Sequence, residues 1–331
     1  MATKKVLFDH FVPEKFLGNG SFSTVYQVRL AKGENRSTSY ALKQFTIRNL
    51  KAVDCALREQ RILKRLALHK LQSRFIANLH CSFFDRGSAV LVLTRGSELS
   101  LSHLLDYCFP LDVNDTKFYG SEIICGLEYL HNLGVVHLDM KPSNILLSDS
   151  GHVLISDFDC SYDMTIRMGP PLSTDYKGNR TFMAPEVARK NSISCKADVW
   201  SFGALISRMT IGYVRFDKES VDGKFGKWNV EGFVNLPKSL QSLLKACLRL
   251  KPRRRPNIRR LTYFPFFKGI NWSYVKSQSY PPPLEPSKLS LNIPKERAYN
   301  LNYKLESIPE NVDEIFMNYD FIHDKFAKKI M

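Results

Sequence analysis

The stretch His137-Leu138-Asp139-Met140-Lys141-Pro142-Ser143-Asn144 constrains this chain more than any other, and thirteen residues later comes Asp157-Phe158-Asp159. Three chemical tasks are packed into the first fragment. Asp139 can accept the proton of an attacking hydroxyl, Lys141 can steady a transferring phosphate, and Asn144 can ligate a divalent metal. Asp157 adds a second hard oxygen ligand from a separate loop. With phosphates completing the shell, that donor set suits Mg²⁺ better than a softer metal.

Upstream, Leu17-Gly18-Asn19-Gly20-Ser21-Phe22-Ser23-Thr24-Val25 follows the pattern G-x-G-x-x-G-x-V, with serine in the third glycine position. Glycines permit φ > 0 and close backbone approach, which a strand-turn-strand loop needs in order to fold over phosphates. Such turns also join strands that bind nothing. In Tyr40-Ala41-Leu42-Lys43 a lysine sits inside an apolar strand, where burial is costly unless the charge is paired. Glu59, sixteen residues on and on a predicted helix, is the natural partner. The pair would aim the ammonium at the α- and β-phosphates; a strand-edge lysine facing solvent is the plainer reading.

Strand-like runs come first along the chain: 24–31, 37–45, 81–85 and 88–94. Between them, 55–68 places Ala56, Leu57, Ile62, Leu63 and Leu66 near helical spacing. After Thr94 helical patterns dominate, beginning with the amphipathic segment 115–134. Beyond Phe267 the chain turns proline-rich and reads as an extended tail. The division expected is a small strand-rich lobe over 1–94, a larger helical lobe over 95–267 and a tail over 268–331, an α+β architecture.

Farther on stand Ala184-Pro185-Glu186, Asp198-Val199-Trp200-Ser201-Phe202-Gly203 and Lys251-Pro252-Arg253-Arg254-Arg255-Pro256, with Arg255 a candidate ion partner for Glu186. With all these elements in order, the sequence resembles a eukaryotic protein kinase across residues 11–267. The segments Lys117 to Ile124, Leu127 to His131 and Pro265 to Trp272 look like the AGC group, which includes protein kinase A, protein kinase C and the ribosomal S6 kinases. That group folds its C-terminal tail back over the small lobe and docks a hydrophobic motif, F-x-x-F-S/T-F/Y. Phe316-Met317-Asn318-Tyr319-Asp320-Phe321 matches it, with Asp320 at the phosphorylation position; an amphipathic helix end is the alternative.

The resemblance implies a bilobal fold that binds ATP through Leu17, Gly18, Asn19, Gly20, Ser21, Phe22, Val25, Ala41, Lys43, Glu59, Thr94 and Leu146. Asp139 and Lys141 are the implied catalytic residues. Asn144 and Asp157 are the implied metal ligands, for Mg²⁺ or its substitute Mn²⁺. Leu63, His137 and Phe158 fall at regulatory-spine positions. Lys141, two residues after Asp139, fits serine/threonine rather than tyrosine specificity. Glu98 matches the acidic position that receives arginine upstream of the phosphoacceptor, whereas Ser143 replaces a second acid and softens that preference.

Several positions depart from the pattern. Leu138 replaces the arginine that, in many kinases, pairs with an activation-loop phosphate. Asp175 falls at the loop phosphothreonine position and Asp320 at the tail site, so built-in charges take the place of phosphates; Ser173, Thr174 and Ser307 are the alternative sites of modification. Asn179 stands where a threonine normally contacts the catalytic aspartate. Asp159 replaces the glycine after Asp157-Phe158, adding a charge and restricting the backbone. The alternative function is therefore a pseudokinase, or a kinase-fold scaffold that binds nucleotide or partners without efficient transfer.

Composition narrows the setting. A net charge of +16 favours acidic partners, but 249–260 lacks interleaved aromatics and no nucleic-acid module is present, so no specific nucleic acid is expected. Seven scattered cysteines without a CxxC pair, no apolar run of the ~20 residues that span a bilayer, and no leader-like start imply a monomeric cytoplasmic protein, nuclear as the alternative, acting on protein substrates.

Overall fold

The computed structural model describes residues 5–32, 38–166, 180–191, 193–216, 228–229, 232–286 and 311–330. Ser173, Thr174, Asp175, Asn179 and Ser307 lie outside the described residues. Two compact units form, one from Met1–Gln72, Ala77–Gly96 and Ser290–Met331, the other from Ser73–Ile76 and Ser97–Leu289.

The first unit is built on strands β1 (Phe11–Asn19), β2 (Ser23–Leu30) and β3 (Ser39–Thr46), helix α1 (Leu50–Leu68), then β4 (Leu79–Asp85) and β5 (Ser88–Thr94). All strand pairings are antiparallel. Period-two alternation sorts the side chains. Tyr26, Val28 and Leu42 enter an apolar cluster with Phe8, Phe11 and Phe83, and Val25, Ala41 and Lys43 take the opposite face. Helix α1 starts well before the apolar repeat at Cys55 because Asn49 caps it, its Oδ1 accepting from the Ala52 N–H at 3.0 Å.

The second unit contains α2 (Leu101–Cys108), α3 (Val113–Asn132), β6 (Val135–Val136), β7 (Ile145–Leu147), β8 (Val153–Ile155), β9 (Tyr162–Asp163), α4 (Pro185–Ala188), α5 (Lys196–Thr210), β10 (Arg215–Phe216), β11 (Trp228–Asn229), α6 (Lys238–Cys247) and α7 (Trp272–Ser277). Short ribbons β6–β9 and β7–β8 hold the loops that carry Asp139 and Asp157. Arg255 locks the helical base: its guanidinium meets Glu186 with two bonds of 2.7 and 2.8 Å and lies 4.9 Å from the Trp200 ring centroid. Such a paired fork makes a fully buried arginine tolerable. Helix α7 corrects the expectation of a wholly extended segment after Phe267. Asn271 caps it by accepting from the N–H groups of Ser273 and Tyr274, and Val275 anchors it.

The C-terminal residues return to the first unit as α8 (Val312–Ile315), β12 (Phe321–Ile322) and α9 (Asp324–Ile330). Strand β12 pairs with β4, giving the order β1-β2-β3-β5-β4-β12. Phe326 of α9 joins the cluster beneath the sheet and packs on Tyr40 and His80, with centroids 5.2 and 5.4 Å away. Burial, with the charges of Lys329 and His323, lowers the His80 pKa to about 4.

Candidate active site

The glycine segment spans the β1–β2 hairpin: Leu17, Gly18 and Asn19 end β1, and Gly20, Ser21 and Phe22 form the turn. The Gly20 N–H donates to Ser23 O at 2.7 Å. Neither Gly18 nor Gly20 uses a positive φ, so conformational freedom is not what glycine supplies. At Gly20 space is: a Cβ there would lie 2.8 Å from Ser23 Oγ, whereas one on the half-buried Gly18 would meet nothing within 4 Å.

On the same sheet face, Val25 pairs with Lys43 and Gln27 with Ala41 across β2 and β3. Lys43 is buried, and its Nζ donates to Glu59 Oε2 at 2.6 Å, Glu59 itself being inaccessible to solvent. Thr94 closes β5, its N–H donating to Asn78 O at 2.9 Å and its hydroxyl lying 3.2 Å from His80 Nε2.

The tail meets α1 beside this pair. Tyr319 O accepts from Gln60 Nε2 at 2.9 Å and Ser82 Oγ at 2.6 Å, Asp320 Oδ1 accepts from the Phe84 N–H at 3.1 Å, and Phe316 stacks on Phe84 with centroids 4.7 Å apart. Burial pushes the Tyr319 phenol well above its usual range, and the Glu59 charge adds to this while Lys43 opposes it.

In the second unit, Asp139, Lys141 and Asn144 converge. Lys141 Nζ donates to Asp139 Oδ2 at 2.7 Å, and Asn144 Nδ2 donates to the same oxygen and to Asp139 O, both at 2.9 Å. Because both Asn144 bonds use its nitrogen, the hard oxygen Oδ1 is left as an acceptor, and an amide oxygen with a carboxylate such as that of Asp157 is donor chemistry that would fit Mg²⁺. Burial works against the Lys141 charge, yet the adjacent Asp139 charge and hydrogen bond, with Asp157, raise its pKa. Leu146 is half-buried in β7, bridged to Ser100.

Asp198, on α5, organises this loop, a role that its motif alone did not disclose. Wholly buried, it accepts from the N–H of His137 at 2.8 Å, the N–H of Leu138 at 2.9 Å and His131 Nε2 at 2.8 Å. Burial favours the neutral acid, but the His131 bond and charge, helped by His137, hold its pKa below the usual aspartate value. Asp198 thereby supports Leu138 at φ 65°, a left-handed conformation that leucine adopts only at a cost. His137 relays the order onward: the Asp139 N–H donates to Nδ1 at 3.3 Å, which puts the ring proton on Nε2, and that nitrogen donates to Ser156 O at 3.1 Å. Its ring lies 4.9 Å from that of Phe158.

The left-handed residue of the Asp-Phe-Asp segment is Asp157, at φ 69°, and not Asp159, whose position calls for no positive φ. Aspartate is among the residues that tolerate this region. The Asp159 substitution therefore sits where the local backbone does not require glycine.

Comparisons with known proteins agree with this arrangement. The protein kinase domain family matches residues 11–267. Ribosomal protein S6 kinase alpha-2 of Homo sapiens is 31% identical over 283 residues, covering 82% of this chain and 38% of that protein. Ribosomal protein S6 kinase 2 beta of Xenopus laevis is 32% identical over 288 residues, 84% of this chain and 45% of that protein. Protein kinase C delta type of Homo sapiens is 27% identical over 341 residues, 98% of this chain and 49% of that protein. The chain thus spans less than half the length of these relatives. It belongs to the protein kinase domain family, within the AGC group.

Proposed function

We propose that the protein is an active serine/threonine kinase that transfers the γ-phosphate of ATP to protein hydroxyls with Mg²⁺. The observation that carries this reading is the convergence of Lys141 and Asn144 on one oxygen of Asp139, at 2.7 and 2.9 Å, with Asp198 holding the loop from behind. A decayed site has no reason to keep a left-handed leucine and a buried carboxylate merely to orient one aspartate. In this reading Asp139 accepts the proton of the attacking hydroxyl, and Lys141 offsets charge on the transferring group. Lys43, held by Glu59, receives the α- and β-phosphates, the glycine hairpin covers them, and Val25, Ala41, Thr94 and Leu146 line the nucleotide site. Asn144 and Asp157 would hold the metal, which supplies charge neutralisation at the phosphates when bound. Asp320, bonded to the Phe84 N–H, stands where a phosphate would otherwise fasten the tail.

The test is phosphate transfer from labelled ATP, with Mg²⁺ and then Mn²⁺, to a basic peptide mixture and to the protein itself, beside Asp139→Asn. Transfer by the parent protein that disappears in the variant is expected. Nucleotide binding by both with transfer by neither would overturn the reading in favour of a nucleotide-binding scaffold.

A further inference from the structure

From Gly232 to Leu284 the chain carries eleven lysines and arginines and no aspartate or glutamate, although 32 acids in 331 residues would put about five there. Ten of the eleven are exposed, the exception being Arg255. The second unit gathers many of them together. Arg255 donates to the carbonyls of Arg249 at 2.7 Å and Lys196 at 2.8 Å, and the Lys196 ammonium returns to Arg255 O at 2.8 Å. Arg259 and Lys276 share the single carboxylate of Glu128, at 3.6 and 3.1 Å. Burial lowers the Lys196 pKa, and the Arg260 and Arg255 charges add to it, as expected inside a positive field. Among the described residues, Arg249, Lys251, Arg253, Arg254 and Arg260 have no ion pair.

Soluble surfaces ordinarily intersperse both signs; a field of one sign repels itself and concentrates anions. The apolar side chains among these cations identify the anion. Leu250, between Arg249 and Lys251, is 37% exposed, and Tyr263 is 79% exposed. Tyr263 follows Arg260 by three residues in the 3₁₀ segment Ile258–Tyr263, where such positions share a face. A phosphodiester backbone has no use for an exposed leucine. An anionic bilayer takes cations at its headgroups and leucine and tyrosine at the acyl boundary.

We propose that the surface centred on residues 249–263 is a peripheral docking face for an anionic lipid bilayer. Arginine and lysine supply the attraction, and Leu250 and Tyr263 enter the interface. The reading is independent of catalysis.

Co-sedimentation of the full chain with phosphatidylcholine vesicles, with or without about 30% phosphatidylserine, tests it at low and high salt. Binding only to the anionic vesicles is expected. Arg253→Gln with Arg254→Gln should weaken the partition roughly thirtyfold, and Leu250→Ser with Tyr263→Ser about tenfold, with melting temperatures unchanged. If the arginine pair melts lower, Lys251→Gln with Arg260→Gln replaces it and carries the same expected loss. Equal binding to neutral vesicles, no vesicle binding, or variants that bind as the parent does would overturn the proposal. So would binding of a uridine homopolymer in place of vesicles, which would reassign the face to nucleic acid.

Discussion

Replacing Asp198 with asparagine keeps the shape of the side chain and removes its charge. In the native unit the two carboxylate oxygens serve three donors, two of them the consecutive backbone N–H groups of His137 and Leu138. The amide offers one oxygen and turns an NH₂ toward a donor. One buried backbone N–H then loses its acceptor, at about 1–3 kcal/mol, and the left-handed Leu138 loses part of the support that offsets a strain of about 1–2 kcal/mol. We expect a net loss of about 3 kcal/mol, large beside total stabilities of about 5–15 kcal/mol. Urea unfolding should show the shift, and phosphate transfer should fall in kcat because Asp139 follows Leu138 directly. Acid behaviour gives a second readout. Since the folded pKa lies below 3.8, the carboxylate contributes stability above that value, and the contribution fades as pH falls through the folded pKa. The asparagine variant should lack this component. A variant within ~0.5 kcal/mol of the parent and equally active would refute the assignment, because the two N–H groups would then have other acceptors.

Three further outcomes are expected. Glu59→Gln removes the negative charge that faces the buried Lys43 ammonium at 2.6 Å, so stability should drop by about 3 kcal/mol in urea titrations, and transfer should fall with it. Tyr319→Phe removes a buried hydroxyl that has no hydrogen-bond partner among the described residues and should raise stability by about 1 kcal/mol; a loss of that size would mean the hydroxyl is bonded. The unfolded chain binds a proton at His80 below about 6.5 and the folded chain only below about 4, so between these values stability rises with pH. Acidification across that window should increase proteolysis at α9, and His80→Phe should blunt the increase; an identical pH response in the variant would count against His80 as its source.

Groups that act through their neighbours in sequence were legible without coordinates. The spacing of Asp139, Lys141 and Asn144 within six residues implies a shared task, and 88–94 reads as the strand β5 that forms there. The partners Glu59 for Lys43 and Arg255 for Glu186 were legible because a buried charge demands an opposite one. What escaped depends on long-range backbone bonds. Asp198 reaches His137 across 61 residues, and no local pattern marks it as the acceptor for that loop. Helix α7 was hidden by the prolines after it, although Asn271 was a cap in plain view. Of the two properties that glycine offers the loop between β1 and β2, positive φ is not used at Gly18 or Gly20, while Gly20 has little room beside Ser23.

The pairing of β12 with β4 has a consequence for how the chain is made. Ser82 waits for Tyr319 across 237 residues, which at about 5–20 residues per second takes roughly 12 to 50 s of synthesis. For that interval the row of N–H and C=O groups on the outer side of β4 is an open template, and Phe84 lacks the aromatic ring that will cover it. Bare edges of this kind invite pairing with other chains. The segment around Phe321 is therefore a seal on a nascent sheet, and ribosomes closely spaced on one message would carry several unsealed copies side by side.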